Sequence, residues 1–227
     1  MSDAKFYKSP LILRILGLGK PYFVKTPWWM KAVFPSRLWK VKTKEPIIYL
    51  SFDDGPHPEI TPFILDELKK HDAKATFFCI GKNVMLYPEM YQRILDEGHR
   101  VGNHTFNHLN GWKTPDPAYL ADITEAARHI HSDLFRPPYG RINSSQVKSL
   151  NNAMKYQARI VMWDVLSGDF DTGIDALKVM KRVLRGAGAG SIIVFHDNEK
   201  SFPRLKGSLP AVLTALSEKG YRFESIA

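Results

Sequence analysis

The chain has 227 residues, which suits one domain, and its 44% hydrophobic and 24% charged residues match ordinary globular usage, so a sizeable core is possible. Its single cysteine, Cys79, excludes an internal disulfide and a cysteine-rich zinc site. Because Cys79 lies within the apolar run "ATFFCIG", we predict a buried structural thiol.

The positive charge of the chain belongs to residues 1–44. This segment holds ten Lys or Arg and one acid, Asp3, so it accounts for the whole net charge of +9 and the rest of the chain sums to zero. A nucleic-acid-binding core would carry a positive face of its own, so we expect no nucleic-acid partner. We predict a basic, aromatic N-terminal extension over 1–44 and a catalytic domain over 45–227.

Two interpretations of this extension stay open. Its aromatic and leucine side chains beside cations are typical of a peripheral membrane anchor, whereas its prolines also suit a segment packed against the domain. We favour packing for residues 26–44 and leave 1–20 undecided. No apolar run approaches the ~20 residues that span a bilayer, and Arg14 interrupts the stretch that a signal peptide would need. The sequence therefore favours a cytoplasmic or peripherally membrane-associated protein over a secreted one.

From Pro46 onward, short apolar runs alternate with longer amphipathic segments. We predict strands at 47–52, 74–80, 100–105, 134–140, 158–165 and 190–197. We predict helices at 62–72, 87–99, 117–134, 145–156 and 173–187, with a last helix from Leu209 and a short strand after it. We predict Thr61 as the N-cap of the first helix, with Pro62 at its first helical position. Six or seven such units predict an α/β fold whose parallel sheet curls into a barrel.

Reactive side chains stand where the predicted strands end. They are Asp53 with Asp54, His104 with His108, Arg136 to Tyr139, Asp164 to Asp169, and His196 with Asp197. The carboxyl ends of barrel strands are where active sites form, so we expect these groups to share one rim. The run "GAGAGS" at 186–191 precedes a strand and lacks the dinucleotide-binding spacing, so we interpret it as a flexible turn.

The sequence "HTFNH" places His104 and His108 at i and i+4, so on one helical turn both imidazoles could face a single metal ion. Two surface histidines spaced by chance are the alternative. Two imidazoles and a carboxylate form a frequent three-ligand site, and either Asp53 or Asp54 could supply the carboxylate.

The adjacent acids of "SFDDGP" need a compensating partner, because like charges at the end of a buried strand repel each other. An ordinary turn would also explain the Asp-Gly-Pro sequence. A divalent cation explains more: one acid binds it, and the other takes a proton from a water whose pKa the cation lowers to ~7. Arg136 could form a two-pronged pair with the free carboxylate, although alone it would suit a surface residue before a turn.

His196 ends the apolar strand "SIIVFH". A core histidine bonded to a backbone carbonyl is one interpretation. Its place at the rim favours a general acid that protonates the leaving group, with a nearby carboxylate such as Asp169 raising its pKa.

Five segments, "SFDDGP", "HTFNH", "RPPYG", "WDVLSGDF" and "IIVFH", together resemble the ordered motifs of the NodB-homology polysaccharide deacetylases, carbohydrate esterase family four. The resemblance covers residues 45–225. It implies a distorted, incomplete (β/α) barrel of about seven parallel strands. It also implies a divalent metal, zinc first and otherwise cobalt, nickel or manganese, bound by Asp54, His104 and His108. Asp53 would be the base, and Arg136 would order it.

The same resemblance assigns the remaining site residues. The Tyr139 main-chain N–H would stabilise the oxyanion, and His196 would be the acid, tuned by Asp169. Tyr139, Phe170 and Trp163 would contact the substrate. Phe170 stands where the family usually has Trp, which keeps an aromatic wall but loses the indole N–H.

The function that this family implies is removal of acetyl groups, mostly N-acetyl and sometimes O-acetyl, from chitin-, chitooligosaccharide- or peptidoglycan-like glycans. One alternative is an intracellular or membrane-associated amidohydrolase of the same superfamily that acts on a small amide or a lipid-linked sugar. A non-catalytic glycan-binding module is a further alternative. It would be expected to lack Asp53, a histidine ligand or His196, and all of these are present.

Overall fold

The computed structural model describes residues 22–155 and 157–227. The strands are β1 (Ile47–Asp53), β2 (Ala75–Cys79), β3 (Arg100–Asn103), β4 (Leu134–Phe135), β5 (Arg159–Ile160), β6 (Val165–Leu166), β7 (Ile192–His196) and β8 (Arg222–Phe223). The helices are α1 (Trp28–Val33), α2 (Ile60–Lys69), α3 (Gly81–Leu86), α4 (Pro88–Asp96), α5 (Asp116–Ala126), α6 (Ser144–Met154), α7 (Ala176–Gly186) and α8 (Phe202–Glu218), with a short 3₁₀ turn at Pro138–Gly140.

Seven strands form one parallel sheet in the order β5-β4-β3-β2-β1-β7-β6, and β8 pairs with the first residues of β1. The two end strands, β5 and β6, do not pair with each other in the described part of the chain. The sheet therefore curls into an incomplete (β/α) barrel, which confirms the predicted fold.

The centre of the sheet is strand β1, whose seven residues are all buried. This uniform burial is typical of a parallel strand that is covered on both faces. Phe52 stacks on Phe77 of β2 and on Phe195 of β7, with ring centroids 5.1 and 6.1 Å apart. The aromatic packing fixes the end of β1, and with it the position of the acids that follow.

The segment before β1 crosses the open side of the barrel, between the end strands β5 and β6. Leu38 forms a parallel bridge with Val161, and Lys25 forms an antiparallel bridge with Val165. Trp39, between these contacts and β1, is buried. Residues 26–44 are thus packed against the barrel, as the sequence favoured.

Two lysines of this segment face a buried acid. Asp164 is fully buried and accepts hydrogen bonds from Lys25 Nζ and Lys31 Nζ at 2.5 Å each, and from Ser191 Oγ at 2.6 Å. Burial alone would raise the pKa of Asp164, but the two ammonium groups hold it below its usual value.

The predicted strand 158–165 is wrong, because it divides into β5 and β6. Asp164 consequently precedes a strand instead of following one, and its N–H pairs with the carbonyl of Ile192 at the beginning of β7. It lies at the opposite end of the barrel from Asp169, and not at the rim where the sequence placed it.

Two predicted helix limits differ from the structure by more than three residues. The predicted helix 117–134 ends at Ala126, and the last helix begins at Phe202, before the predicted start at Leu209. Pro203 occupies the first turn of α8, where its missing N–H costs nothing, and Pro210 is accommodated inside the helix. Pro210 therefore marks no helix start.

Within 22–155 and 157–227, no helix is both long enough and apolar enough to cross a bilayer. The open question about residues 1–20, anchor or packed segment, lies outside the described residues.

Candidate metal centre and active site

Strand register brings the predicted functional residues together at the carboxyl end of the sheet. Asp53, the last residue of β1, is in register with His196, the last residue of β7. Strands β3 and β4 also end in register, so His104 and Arg136, which follow them, are neighbours. The prediction of one shared rim is confirmed for these four residues.

His104 and His108 lie on an irregular loop, so the predicted helical turn is wrong. Thr105 and His108 have positive φ angles of 65° and 57°, which no α-helix contains. The backbone groups bond to side chains instead: Asn103 Oδ1 accepts from the N–H of Thr105 at 2.8 Å, and Asp122 Oδ2 accepts from the next two N–H groups. These bonds hold the loop in a shape that brings the two imidazoles together without a helix.

Three potential ligand atoms, from Asp54, His104 and His108, lie within 4.8 Å of one another. Asp54 Oδ1 is 3.2 Å from His108 Nε2 and 3.6 Å from His104 Nε2. Ligands at 2.0–2.2 Å from a tetrahedral ion are separated by roughly 3.4 Å, so these spacings fit a zinc-type ion. Asp54 Oδ1 is buried and has no hydrogen-bond partner among the described residues, which is the state expected of a ligand atom.

Hydrogen bonds behind the ligands fix their orientation. His104 Nδ1 lies 2.6 Å from the carbonyl of Arg136, which can only accept, so Nδ1 carries the hydrogen and Nε2 keeps its lone pair. Asn198 Nδ2 donates to Asp54 Oδ2 at 2.6 Å. Because Asn198 Oδ1 accepts from the N–H of Ser201, its amide orientation is determined, and Asp54 presents Oδ1 to the histidines.

The protonation states also suit metal binding. Burial lowers the pKa of His104 to about 4, so its imidazole is neutral at pH 7. Burial would raise the pKa of Asp54, but His108, His196 and His104 together hold it well below its usual range. A neutral imidazole and an ionised carboxylate are the forms that bind a metal ion.

The second acid of the doublet pairs with a buried arginine. Arg136 Nη1 donates to Asp53 Oδ1 at 2.6 Å and to Ser51 Oγ at 2.9 Å. Its guanidinium lies 3.9 Å from the centre of the Phe78 ring. The predicted two-pronged pair is wrong, because Nε and Nη2 bond to the backbone carbonyls of Val161 and Met162, just after β5, and only one prong reaches the acid.

The acid candidate on β7 has the carboxylate partner that the sequence suggested. His196 Nδ1 lies 2.7 Å from Asp169 Oδ1, and the His196 N–H donates to Asp169 Oδ2 at 2.7 Å. Burial would lower the pKa of His196, but the Asp169 carboxylate outweighs burial and raises it to about 9. The Phe170 ring meets the imidazole edge-on at 5.2 Å.

Aromatic side chains border the site on two sides. Tyr139, in the 3₁₀ turn and with a φ of 59°, is 61% exposed and places its ring 4.8 Å from that of His108. Trp163 lies behind this turn, so close to Gly140 that a Cβ there would come within 2.8 Å of the indole. Tyr139 thus borders the histidine side, and Phe170 borders the His196 side.

The loop after β1 is held by a network that the sequence analysis missed. Asp197 is buried, and its Oδ2 accepts a 2.5 Å hydrogen bond from Thr61 Oγ1, which in turn accepts from the N–H of His57. Thr61 is therefore not the helix cap that we predicted. A Cβ at Gly55 would approach Asp197 Oδ2 to 2.3 Å, so this turn requires glycine. Burial raises the pKa of Asp197 to about 7.

The N-terminal segment also reaches the site. The ring of Tyr22 lies 5.1 Å from that of Phe170, and its hydroxyl donates to Asp171 at 2.8 Å and accepts from Arg182. Burial and the Asp171 carboxylate raise the pKa of Tyr22 to about 12. Tyr22 therefore supports the aromatic wall from behind.

Comparison with known proteins agrees with this geometry. Residues 40–158 match the family model of polysaccharide deacetylases. The chain belongs to the polysaccharide deacetylase family. Membership confirms the resemblance to the NodB-homology enzymes and the prediction of a hydrolase.

Three similar proteins place the chain within this deacetylase family. A peptidoglycan-N-acetylglucosamine deacetylase of Bacillus cereus is 34% identical over 83% of this chain and 90% of its own length. A chitooligosaccharide deacetylase of Azorhizobium caulinodans is 33% identical over 78% of this chain and 88% of its own. The crystal structure of the Bc1960 peptidoglycan N-acetylglucosamine deacetylase aligns with a TM-score of 0.78 and 32% identity, over 88% of this chain and 95% of that one.

Proposed function

We propose that this deacetylase removes N-acetyl groups from amino sugars of a peptidoglycan- or chitin-like glycan, in a metal-dependent reaction. One observation carries the proposal: the Asp54, His104 and His108 ligand set adjoins both the Asp53–Arg136 pair and the His196–Asp169 pair. The similar proteins named for peptidoglycan and chitooligosaccharide deacetylation support this substrate class.

A divalent cation bound by Asp54, His104 and His108 would act as a Lewis acid and lower the pKa of water at the site to about 7. The protein's own groups supply the proton transfers. Arg136 binds Asp53 Oδ1, which leaves the second oxygen of Asp53 to take the proton that the attacking water loses.

The leaving nitrogen needs a proton, and His196 is the group that can give it. With its pKa raised to about 9, His196 is protonated at neutral pH, and Asp169 holds Nδ1 so that Nε2 faces away from the carboxylate. As the C–N bond breaks, His196 protonates the nitrogen, and the products are acetate and a free amine. The Tyr139 N–H is assigned to the oxyanion that precedes this collapse.

The test is acetate release by the full chain, measured with Zn²⁺ or Co²⁺ against chelator-treated protein. The substrates are chitooligosaccharides and peptidoglycan fragments. We expect release that the chelator abolishes, that added metal restores and that Asp53→Asn reduces by at least a hundredfold. Asp96→Asn, the same change at an exposed helix position, should leave it unchanged. No release from any acetylated glycan by protein with bound metal would overturn the proposal.

The second candidate function is deacylation of a lipid-linked sugar or a small amide. The exposed aromatic side chains of the N-terminal segment favour it, because they suit an enzyme working at a lipid surface. Adding a lipid-linked N-acetyl sugar and small acetamides to the same assay separates the two candidates by their relative kcat/KM values.

A further inference from the structure

A second surface combines cationic and aromatic side chains, and we call it the basic aromatic face. Helix α7 and the N-terminal segment form it together. Its members are Phe23, Lys25, Trp28, Trp29, Lys178, Lys181, Arg182 and Arg185. Val24 and Lys25 line one cleft with the four cations of α7, so the segment and the helix are in contact there.

Helix α7 is amphipathic in an unusual way, because one face is entirely cationic. Its cations recur at 178, 181, 182 and 185, the i, i+3, i+4, i+7 spacing of a single helix face, and its sequence "ALKVMKRVLRG" contains no acid. Val179 and Val183 are buried against the barrel on the opposite side. Lys178, Lys181 and Arg185 are exposed, so their charges are available to a partner.

Exposed aromatic rings lie close along the chain to Val24 and Lys25, the two cleft residues of the N-terminal segment. Trp28 is 80% exposed, Phe23 52% and Trp29 44%. Phe23 and Trp29 contact each other edge-on with centroids 6.4 Å apart, and Phe23 directly precedes the cleft residues. Isolated exposed apolar residues are ordinary, but these two exposed rings contact each other next to a cationic cleft, and contiguous apolar patches of this kind mark interaction surfaces.

We propose that the basic aromatic face binds the surface of an anionic lipid bilayer. Cations attract anionic headgroups, and tryptophan and phenylalanine are the side chains that enter the interface between headgroups and acyl chains. A soluble polyanion would engage the cations but leave the rings in water, so the combination favours a membrane.

The positive charge of residues 1–21 argues against this segment as the binding partner of the basic aromatic face. Residues 1–21 carry Lys5, Lys8, Arg14 and Lys20 against the single acid Asp3. A segment of that charge is repelled by a cationic cleft and attracted to the same anionic surface. Acids near the face are already engaged, since Asp164 binds Lys25 and Lys31, and Asp171 binds Tyr22.

The test is sedimentation of the full chain with vesicles of phosphatidylcholine alone or with 30% phosphatidylglycerol. We expect binding only to the anionic vesicles, weakening as salt rises because screening shortens the range of the attraction. Lys181→Glu with Arg185→Glu should lower the partition coefficient at least tenfold. Lys148→Glu with Lys219→Glu, the same charge change at exposed sites elsewhere, should lower it less than twofold.

The aromatic contribution needs its own pair of variants. Trp28→Ser with Trp29→Ser should lower binding at least fivefold, whereas Met85→Ser with Leu86→Ser, also exposed apolar side chains but on α3, should have no effect. Thermal unfolding of each variant checks that it is folded.

The proposal is overturned if the wild-type protein does not bind anionic vesicles at low salt, or if the two charge-reversal pairs lower binding equally. It is also overturned if the tryptophan variant binds normally and soluble polyglutamate competes fully, which would indicate a polyanion site.

Discussion

His196 and Asp169 form the pair whose charge state controls proton delivery in the proposed reaction. Asp169 is buried and His196 partly so, two hydrogen bonds join them, and Asp169 overcomes the burial penalty to raise the pKa of His196 to about 9. A group with a raised folded-state pKa stabilises the fold below its unfolded value, near 6.5, and loses that contribution as the pH rises through about 9. The pair therefore favours both activity and stability at neutral pH.

Asp169→Asn should shift the pH dependence of the enzyme. Without this carboxylate, burial is opposed only by Asp54 and Asp53, so the pKa of His196 falls and the alkaline limb of kcat/KM should move to lower pH by about 1–3 units. A pH profile of kcat/KM on a chitooligosaccharide measures this shift. Asp171→Asn, the same change two residues away, should leave the limb in place. An unchanged alkaline limb in Asp169→Asn would show that His196 is not the titrating acid.

The acid doublet shows how far residue types can be interpreted without a structure. The sequence predicted that one acid binds metal and the other acts freely, but the residues alone did not say which. The structure assigns the two roles by backbone direction: β1 ends at Asp53, which faces Arg136, and Asp54 has a φ of 82° that turns it toward the histidines. Backbone direction after a strand depends on tertiary contacts, which no local pattern records.

At the scale of elements, the loop between β7 and α8 joins the acid to the metal site. Asn198 lies two residues beyond His196, its amide binds Asp54, and its backbone carbonyl accepts from the first N–H of α8. The rim argument could have found Asn198, because it stands just past a strand end. Asp122, which holds the histidine loop, could not have been found, because it lies inside α5 and carries no motif.

Asn198→Ala should weaken metal binding, because Asp54 loses the hydrogen bond that aims Oδ1 at the histidines. Loss of a bond behind a ligand typically lowers metal affinity by about 10- to 100-fold. Competition between the apo protein and a chromophoric chelator for Zn²⁺ measures this directly, without an activity assay. Asn152→Ala, an exposed amide on α6, should bind zinc like wild type. Wild-type zinc affinity in Asn198→Ala would mean that Asp54 is oriented by its backbone alone.

Strands were predicted correctly where the apolar run is long and incorrectly where tertiary contacts determine the strand limits. The seven-residue β1 and the five-residue β2 and β7 carry continuous apolar runs, and they were predicted within two residues. Strands β5 and β6 have two residues each, and the residues between them, Val161 to Trp163, are as apolar as a strand, so the sequence shows no strand end there. Their separation reflects the N-terminal segment, which inserts between them and which local periodicity cannot reveal.

For the whole molecule, that segment completes an otherwise open barrel. It bridges β5 and β6 through backbone pairs, neutralises Asp164 with two lysines and places Tyr22 behind Phe170. The composition of residues 1–44 differs from that of the rest of the chain, which predicts a separate N-terminal extension. Composition separates the segment from the barrel, but hydrogen bonds and burial join residues 22–44 to it.

Replacing both lysines should therefore destabilise the whole fold. Lys25→Met with Lys31→Met leaves Asp164 buried and unpaired, which we expect to cost about 2–3 kcal/mol, below the usual 3–5 for a broken buried pair because Lys25 is half exposed. The free energy of unfolding in urea at pH 7 measures the loss. Lys42→Met with Lys44→Met, exposed in the same segment, should be neutral, and adding Asp164→Asn to the first pair should recover most of the loss.

The stabilisation by the two lysines should also depend on pH. Because the lysines depress the pKa of Asp164, their stabilisation is present above its unfolded value, near 3.9, and is lost as the pH falls through the folded value. The difference from wild type should thus shrink below pH ~4, and a constant difference across this range would contradict the charge pairing.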